Sequence, residues 1–88
     1  MIKVGIIGYG KMGKIRHKSI LPLNEAKVVS IYDPDNIETE LEVVQEPEHI
    51  INNTEIDAVF ICTPNYLNKP LTIQSLYAGK HVFCEKPP

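Results

Sequence analysis

The sequence predicts an α/β fold with a doubly wound, mostly parallel sheet. Three observations carry this prediction: β-branched runs alternate with helical segments, the strongest run is apolar throughout, and a glycine-rich loop joins the first run to the first helical segment. Such βαβ units cross over in the right-handed sense and place a ligand outside the carboxyl ends of the strands.

The elements follow one another in regular order along the chain. Ile and Val enrichment indicates the first strand, and Pro22 limits the helix after it. In chain order we predict strand Ile2–Ile7, helix Lys11–Ile20, strand Lys27–Tyr32, a short helix passing into a short strand over Ile37–Val44, a helical turn Pro47–Asn52, strand Asp57–Cys62, helix Asn68–Ala78 and strand His81–Cys84.

Local signals indicate how two of the helices are placed. In the helix at 68–78, Asn68 is the expected N-cap, Pro70 lies in the first turn, where its missing N–H costs little, and Gly79 ends the helix. In the first helix, three apolar side chains are expected to face the sheet: Met12, Ile15 and Ile20.

Composition and charge exclude several classes of protein. The 88 residues are 43% apolar and carry a net charge of −2, which favours neither a nucleic-acid partner nor a membrane surface. The longest wholly apolar run, Ala58–Cys62, is far too short to cross a bilayer, and no signal-peptide stretch opens the chain.

The cysteine and histidine patterns indicate neither a disulfide framework nor a metal site. Cys62 and Cys84 lack C-x-x-C spacing and end strands that should be neighbours. The alternatives are a redox pair and two buried, inert thiols, of which the second is favoured. A cytoplasmic location is the simplest interpretation. The three histidines share no ligand spacing, and His17 is expected on a helix surface.

The loop from Gly8 to Gly13 fits the pattern G-x-G-x-x-G between a strand and a helix. Gly8 permits the tight turn, Gly10 lets the backbone approach a pyrophosphate, and Gly13 lets helix and strand pack closely. The helix N-terminus supplies N–H groups and a positive dipole end for the anion. The pattern therefore predicts a dinucleotide site, in which Tyr9 is expected to cover the cofactor.

Asp33 ends the second strand, 20 residues after Gly13, where a carboxylate accepts hydrogen bonds from the adenosine ribose. The alternative is a turn-forming role within Asp33-Pro34-Asp35. A 2′-phosphate would require a nearby cation. No Lys or Arg occurs from Val28 to Asn68, so NAD is predicted over NADP. Four cations of the first helix either clamp phosphate or form its solvent face: Lys11, Lys14, Arg16 and Lys18.

Two further segments make the pattern more specific. They are Cys62-Thr63-Pro64-Asn65 and the stretch from Ala78 to Pro87, Ala-Gly-Lys-His-Val-Phe-Cys-Glu-Lys-Pro. Together with the glycine loop, they resemble the family of glucose–fructose oxidoreductase and inositol 2-dehydrogenase. The resemblance implies an N-terminal dinucleotide domain joined to a C-terminal α/β domain. It also implies hydride transfer between NAD(P) and a sugar, cyclitol or related hydroxy compound.

The resemblance carries over to particular positions of this chain. Lys86 is implied as the catalytic lysine, and a lysine at the carboxyl end of a strand can relay a proton from the substrate hydroxyl. A solvated lysine paired with Glu85 is the alternative. The expected cofactor-binding residues are Gly8, Tyr9, Gly10, Lys11, Met12, Gly13, Asp33, Thr63, Pro64, Asn65, Glu85, Lys86 and Pro87.

Two departures from the family pattern concern the edges of the site. Asn68 stands where relatives often have His, and the stretch between Asp33 and Asp57 is short, so the second helix is expected to be trimmed. We expect residues 1–88 to form one dinucleotide-binding domain, incomplete without the substrate domain and inactive alone. A homo-oligomer is expected of the complete enzyme. The alternatives are a non-enzymatic nucleotide sensor and an inactive truncated product.

Overall fold

The computed structural model describes residues 1–35, 39–63 and 65–84, with the backbone alone at 65–67. The described chain forms five strands and three helices: β1 Ile2–Ile7, α1 Lys11–Ile20, β2 Ala26–Tyr32, β3 Glu42–Val43, α2 Glu48–Ile51, β4 Ala58–Ile61, α3 Asn65–Tyr77 and β5 His81–Cys84. Within these residues, no helix is long and apolar enough to cross a membrane.

The five strands form one parallel sheet in the order β3-β2-β1-β4-β5. The chain moves outward from β1 in one direction and then returns to add β4 and β5 on the other side, which confirms the doubly wound prediction. Ile7 is in register with Tyr32 of β2 and with Ile61 of β4. Three central strands therefore end level with one another, and the residues after them share one edge of the sheet.

Apolar side chains form a core on each face of the sheet. Because successive strand residues point to opposite faces, Ile6 packs on the side of α1, whereas Ile7 packs on the side of α2 and α3. The α1 core contains Val4, Ile6, Tyr9, Ile20, Val28, Ile31 and Ala58. The opposite core contains Ile7, Ile50, Ile51, Ile56, Val59, Ile61 and Leu71.

The predicted inward face of α1 is wrong at two positions. Met12 and Ile15 are 39% and 41% exposed. The most enclosed positions of this helix are instead Gly13, Arg16, His17 and Ile20, at the i, i+3, i+4, i+7 spacing of one helical face. The close approach of Gly13 to the loop sets this rotation of the helix, because only a residue without Cβ fits there.

The helix α3 begins earlier than the sequence predicted. It starts at Asn65, so Asn68 lies inside it and is not the N-cap, and Pro70 lies within the helix beyond its first turn. The prediction for its end is confirmed. Gly79 has φ +80°, its N–H donates to the Leu76 carbonyl, and the Lys80 N–H donates to the Ser75 carbonyl. This is the Schellman arrangement, which satisfies the last carbonyls of the helix.

The segment between β2 and β4 contains little regular structure. Residues 36–38, which include part of the predicted Ile37–Val44 helix, lie outside the described residues; the described remainder contains only the two-residue strand β3. The predicted helical turn is confirmed as α2, with Pro47 at its N-cap. Lys80 stabilises the turn between α2 and β4, because its ammonium donates to the Asn53 and Ile56 carbonyls, each at 2.5 Å.

Candidate functional site

A crevice of about 670 Å³ opens at the carboxyl edge of the sheet, where the chain leaves β1, β2 and β4. It lies at the topological switch point, the usual ligand position in an open α/β sheet. Its lining comes from the glycine loop, the turn after β2, the start of α2, the end of β4 and one face of α3: Gly8, Gly10, Tyr32, Asp33, Pro34, Asp35, Pro47, Glu48, Cys62, Thr63, Pro70, Leu71 and Gln74.

The glycine loop is shaped by contacts that exclude side chains at two of its three glycines. Gly8 has φ +93°, and a Cβ there would lie 2.8 Å from the backbone carbonyl of Cys62. A Cβ on Gly13 would overlap the Gly8 carbonyl oxygen. At Gly10, by contrast, a Cβ would meet no atom within 4 Å. The backbone at Gly10 is therefore open toward the crevice, as close approach of a ligand requires.

The N-terminus of α1 is available to an anion. Its N-cap, Gly10, provides no side-chain hydrogen bond, and the first turn contains no acidic residue. The N–H groups of a first turn have no partner within the helix and carry the positive end of its dipole. A pyrophosphate group placed here would satisfy them, so these residues fit the anionic part of a dinucleotide. Lys11 and Met12 are exposed on this turn.

Asp33 is held at the same edge by two backbone hydrogen bonds. The Tyr9 N–H donates to its Oδ2 at 2.7 Å, and the Asp35 N–H donates to its Oδ1 at 2.9 Å. The second bond closes an Asx-turn, so the turn-forming interpretation of Asp33 is correct as a description of its local structure. A carboxylate oxygen accepts more than one hydrogen bond, and the group therefore retains capacity for ribose hydroxyls.

The Tyr9 side chain lies below the loop and does not cover the crevice. It is only 8% exposed and packs in the α1 core, and its hydroxyl lies 2.6 Å from Nδ1 of His17. His17 is therefore a half-buried hydrogen-bonding residue, and its predicted place on the helix surface is wrong. The four-residue spacing from Gly13 to His17 puts both on one face of the helix and is the signal that indicates the half-buried position of His17.

The opposite end of the crevice is formed where β4 passes into α3. Thr63 is half-buried, and its Oγ1 donates to Oδ1 of Asn68 at 2.6 Å. Asn65 is the first residue of α3. Pro64 and the predicted loop Glu85, Lys86 and Pro87 lie outside the described residues, as does the side chain of Asn65. The structure thus brings Thr63 to the edge that also carries Gly8 and Asp33.

Charged side chains along the described crevice lining are all acidic: Asp33, Asp35 and Glu48. Glu48 was not among the predicted site residues, and neither were Pro47 or Gln74. Only the packing of α2 and α3 against the sheet brings these three to the crevice. Local sequence signals cannot show such a juxtaposition.

The prediction for the two cysteines needs correction at one of them. Cys62 is half-buried, but Cys84 is exposed, so the expectation of two buried thiols is wrong for Cys84. Its strand β5 pairs with β4 alone, which leaves the other side of β5 open. Among the described residues, no group of three or more His, Cys, Asp or Glu side chains is arranged to hold a metal ion.

The parallel sheet, the glycine loop at a helix N-terminus and the acid at the end of β2 define a dinucleotide-binding α/β domain. Residues 2–88 match the profile of an oxidoreductase family described by its NAD-binding Rossmann fold. The chain belongs to this Gfo/Idh/MocA family, as the resemblance implied.

Individual relatives agree with this assignment. The chain is 39% identical to a scyllo-inositol 2-dehydrogenase (NADP(+)) of Bacillus subtilis, over 98% of this chain and 26% of that protein. It is similar to scyllo-inositol dehydrogenase of Lactobacillus casei, solved with NAD(H) and scyllo-inositol (33% identity, TM-score 0.88, 99% of this chain and 28% of that one). It is also similar to biliverdin reductase of Synechocystis, solved with biliverdin and NADP+ (29% identity, TM-score 0.86, 98% of this chain and 29% of that one).

The chain thus spans about a quarter of the length of the relatives that it matches. The matched quarter contains the glycine loop, Asp33 and Thr63, which are the described parts of the predicted site. The relatives include proteins named for NAD(H) and for NADP. Family membership therefore establishes an NAD(P)-binding fold without selecting one of the two cofactors.

Proposed function

We propose that this chain is the NAD-binding domain of an oxidoreductase that transfers a hydride between nicotinamide and a sugar, cyclitol or related hydroxy compound. The observation that carries the proposal is the position of Asp33. Its carboxylate is held against the glycine loop by the Tyr9 N–H and faces the crevice that Gly8 and Thr63 also line. This arrangement supports a phosphate site and a ribose site side by side, as one dinucleotide requires.

The proposed cofactor extends across the carboxyl ends of three neighbouring strands. Its adenosine ribose is bound by Asp33 after β2, and its pyrophosphate by the backbone of Gly8–Gly13 after β1. Its nicotinamide end lies toward Thr63, Pro64 and Asn65 after β4. The sheet order β2-β1-β4 supports this path, because it puts the three sites in the sequence in which the cofactor needs them.

We propose NAD as the preferred cofactor because of the charges around the ribose end. A 2′-phosphate beside Asp33 would meet further carboxylates at Asp35 and Glu48, and the described lining offers no Lys or Arg to pair with it. Repulsion between such like charges in a partly enclosed crevice is expected to make NADP binding weaker than NAD binding by roughly tenfold or more.

Calorimetric titration of the chain with NAD and with NADP at one ionic strength tests this preference. We expect NAD to bind more tightly, and Asp33→Asn to narrow the gap between the two. Glu25→Gln makes the same charge change on an exposed residue at the amino end of β2 and should leave the gap unchanged. Equal affinities of the unmodified chain for the two nucleotides would contradict the proposal.

The proposed chemistry requires a proton-transfer group beside the nicotinamide, and we propose Lys86 for this role. NAD, when bound, accepts or returns the hydride. The lysine takes or gives the proton of the substrate hydroxyl. Because β5 runs parallel to β4, with Cys84 level with Ile61, the chain leaves β5 at the same edge of the sheet as the crevice. This supports a place for Lys86 near the reacting carbon.

The test of Lys86 uses the complete protein that contains this chain, with inositol isomers as first substrates because a relative acts on scyllo-inositol. We expect Lys86→Ala to reduce kcat by about 10²–10⁴-fold and to leave NAD affinity within a few-fold. Lys69→Ala removes an exposed lysine from α3 and serves as the control. An unchanged kcat for Lys86→Ala would refute the assignment.

Two further predictions from the sequence concern the complete protein, namely a cytoplasmic location and a homo-oligomeric state. We propose both on the family resemblance and the cysteine pattern. Light scattering of the purified complete protein measures the second directly, and a monomer at micromolar concentration would contradict it.

A further inference from the structure

Tyr9 is the only residue with a side chain between the first two glycines of the loop. Gly8 on one side has φ +93°, and Gly10 on the other has open space around it. Glycine restrains the backbone less than any other residue. The Gly8 N–H donates to the Tyr32 carbonyl at 2.7 Å, and the anchoring of the Tyr9 side chain adds a second restraint on the orientation of the Gly8–Gly10 segment.

Two kinds of contact anchor that side chain. The Tyr9 ring is buried in the α1 core, where Ile6 and Ile20 also pack. Its hydroxyl lies 2.6 Å from Nδ1 of His17, and the two rings are tilted by 54° with centroids 5.8 Å apart. Burial raises the pKa of Tyr9, so the phenol keeps its proton. With the imidazole proton on Nε2, the hydroxyl donates to Nδ1.

The backbone of the same residue contacts the proposed ribose-binding group. The Tyr9 N–H donates to Oδ2 of Asp33 at 2.7 Å. One residue thus connects α1, through the His17 ring, with the carboxylate at the end of β2. Because the ring and the N–H belong to the same residue, a change in the Tyr9 backbone would alter both contacts.

We propose that Tyr9 and His17 are positioning residues of the cofactor site. Together they hold the glycine loop in the orientation that fixes the Asp33 carboxylate for the ribose hydroxyls. Neither side chain lines the crevice. The inference rests on the proposed function, because it assigns these residues an effect only through Asp33. It gives His17, a helix residue beyond the glycine loop, a part in cofactor affinity.

The experiment compares dissociation constants of the chain for NAD and for NAD lacking the adenosine 2′-hydroxyl. The unmodified chain should favour NAD, because Asp33 binds that hydroxyl. Tyr9→Phe keeps the ring and removes one hydrogen bond, so it should weaken NAD binding by roughly threefold to tenfold. It should change the affinity for the deoxy nucleotide by less than about twofold.

Two further variants separate the hydrogen bond from general packing. His17→Leu should lower the preference for NAD over the deoxy nucleotide, as Tyr9→Phe does. His17→Asn, which keeps a polar amide near the position of Nδ1, should retain most of that preference. Tyr77→Phe removes a hydroxyl from a side chain that is 89% exposed and should change neither constant. Thermal unfolding of each variant verifies that it is folded.

Asp33→Ala distinguishes failure of the proposed ribose role of Asp33 from failure of the positioning role of Tyr9 and His17. The preference measured is that for NAD over the deoxy nucleotide. If Asp33→Ala leaves the preference for NAD intact, the proposed ribose role fails, and the inference falls with it. If Asp33→Ala abolishes the preference while Tyr9→Phe and His17→Leu retain it in full, the inference alone is overturned. Equal weakening of both nucleotides by Tyr9→Phe would also overturn it, because it would show loss of packing without an effect through Asp33.

Discussion

Gly13→Ala tests whether the close packing of loop against helix is as tight as the structure shows. The new Cβ would overlap the carbonyl oxygen of Gly8. This oxygen belongs to the backbone, and the Gly8 backbone in turn lies against the carbonyl group of Cys62. Neither atom is the end of a flexible side chain, so the helix α1 has to move away from the sheet.

Two opposing effects determine the magnitude. Overpacking of a well-packed contact costs roughly 3 kcal/mol where backbone must move. Ala is favoured over Gly within a helix by about 1 kcal/mol. The free energy of unfolding should therefore fall by roughly 2 kcal/mol, a large part of the stability of a small domain. With a urea dependence of about 1 kcal/mol per molar, the unfolding midpoint falls by about 2 M.

Urea unfolding followed by circular dichroism measures this shift, and Gly10→Ala provides the matched control. A Cβ on Gly10 meets no atom within 4 Å, and its φ of −78° suits any residue. We expect the free energy of unfolding of Gly10→Ala to lie within about 0.5 kcal/mol of that of the unmodified chain. Its affinity for NAD should be at least roughly tenfold lower. An unchanged or higher midpoint for Gly13→Ala would refute the packing argument.

Three other substitutions test contacts that support the site. Lys80→Met removes the ammonium bonded to the Asn53 and Ile56 carbonyls and should lower the free energy of unfolding by about 2 kcal/mol in urea; exposed Lys69→Met is the control, and equal midpoints would contradict the expectation. Gly79→Ala places a side chain at φ +80° in open space, so thermal unfolding should show a loss of about 1 kcal/mol, and no loss would count against the Schellman end of α3. In Gly5→Ala the new Cβ should overlap Cγ2 of Ile50 and lower the free energy of unfolding in urea by roughly 1–3 kcal/mol. In combination with Ile50→Ala, which lacks that atom, the added loss should be smaller, whereas strictly additive effects would exclude the contact.

The sequence was sufficient to predict the sheet and the position of the site because both depend on local signals. The bounds of β1, α1 and β5 agree with the predicted ones. A glycine loop and an acid at the end of the next strand suffice to locate a crevice between them, since parallel strands end at one edge.

The errors arise where tertiary packing overrides a local signal. Asn68 has the chemistry of an N-cap, but its side chain accepts a hydrogen bond from Thr63, and the helix begins at Asn65. Met12 and Ile15 are apolar, yet the contact of Gly13 with the loop rotates them outward. The link from His17 through Tyr9 to Asp33 spans three elements, so no local pattern predicts it.

The most direct test of the dinucleotide crevice is an NMR titration of the 9.9 kDa chain with NAD, following each backbone amide. The largest shifts are expected at Tyr9, Gly10 and Met12 and in the turn at Asp33, with saturation at a single dissociation constant. Small shifts there, with the largest instead on the exposed face of α3 around Ile73, Leu76 and Tyr77, would contradict the account.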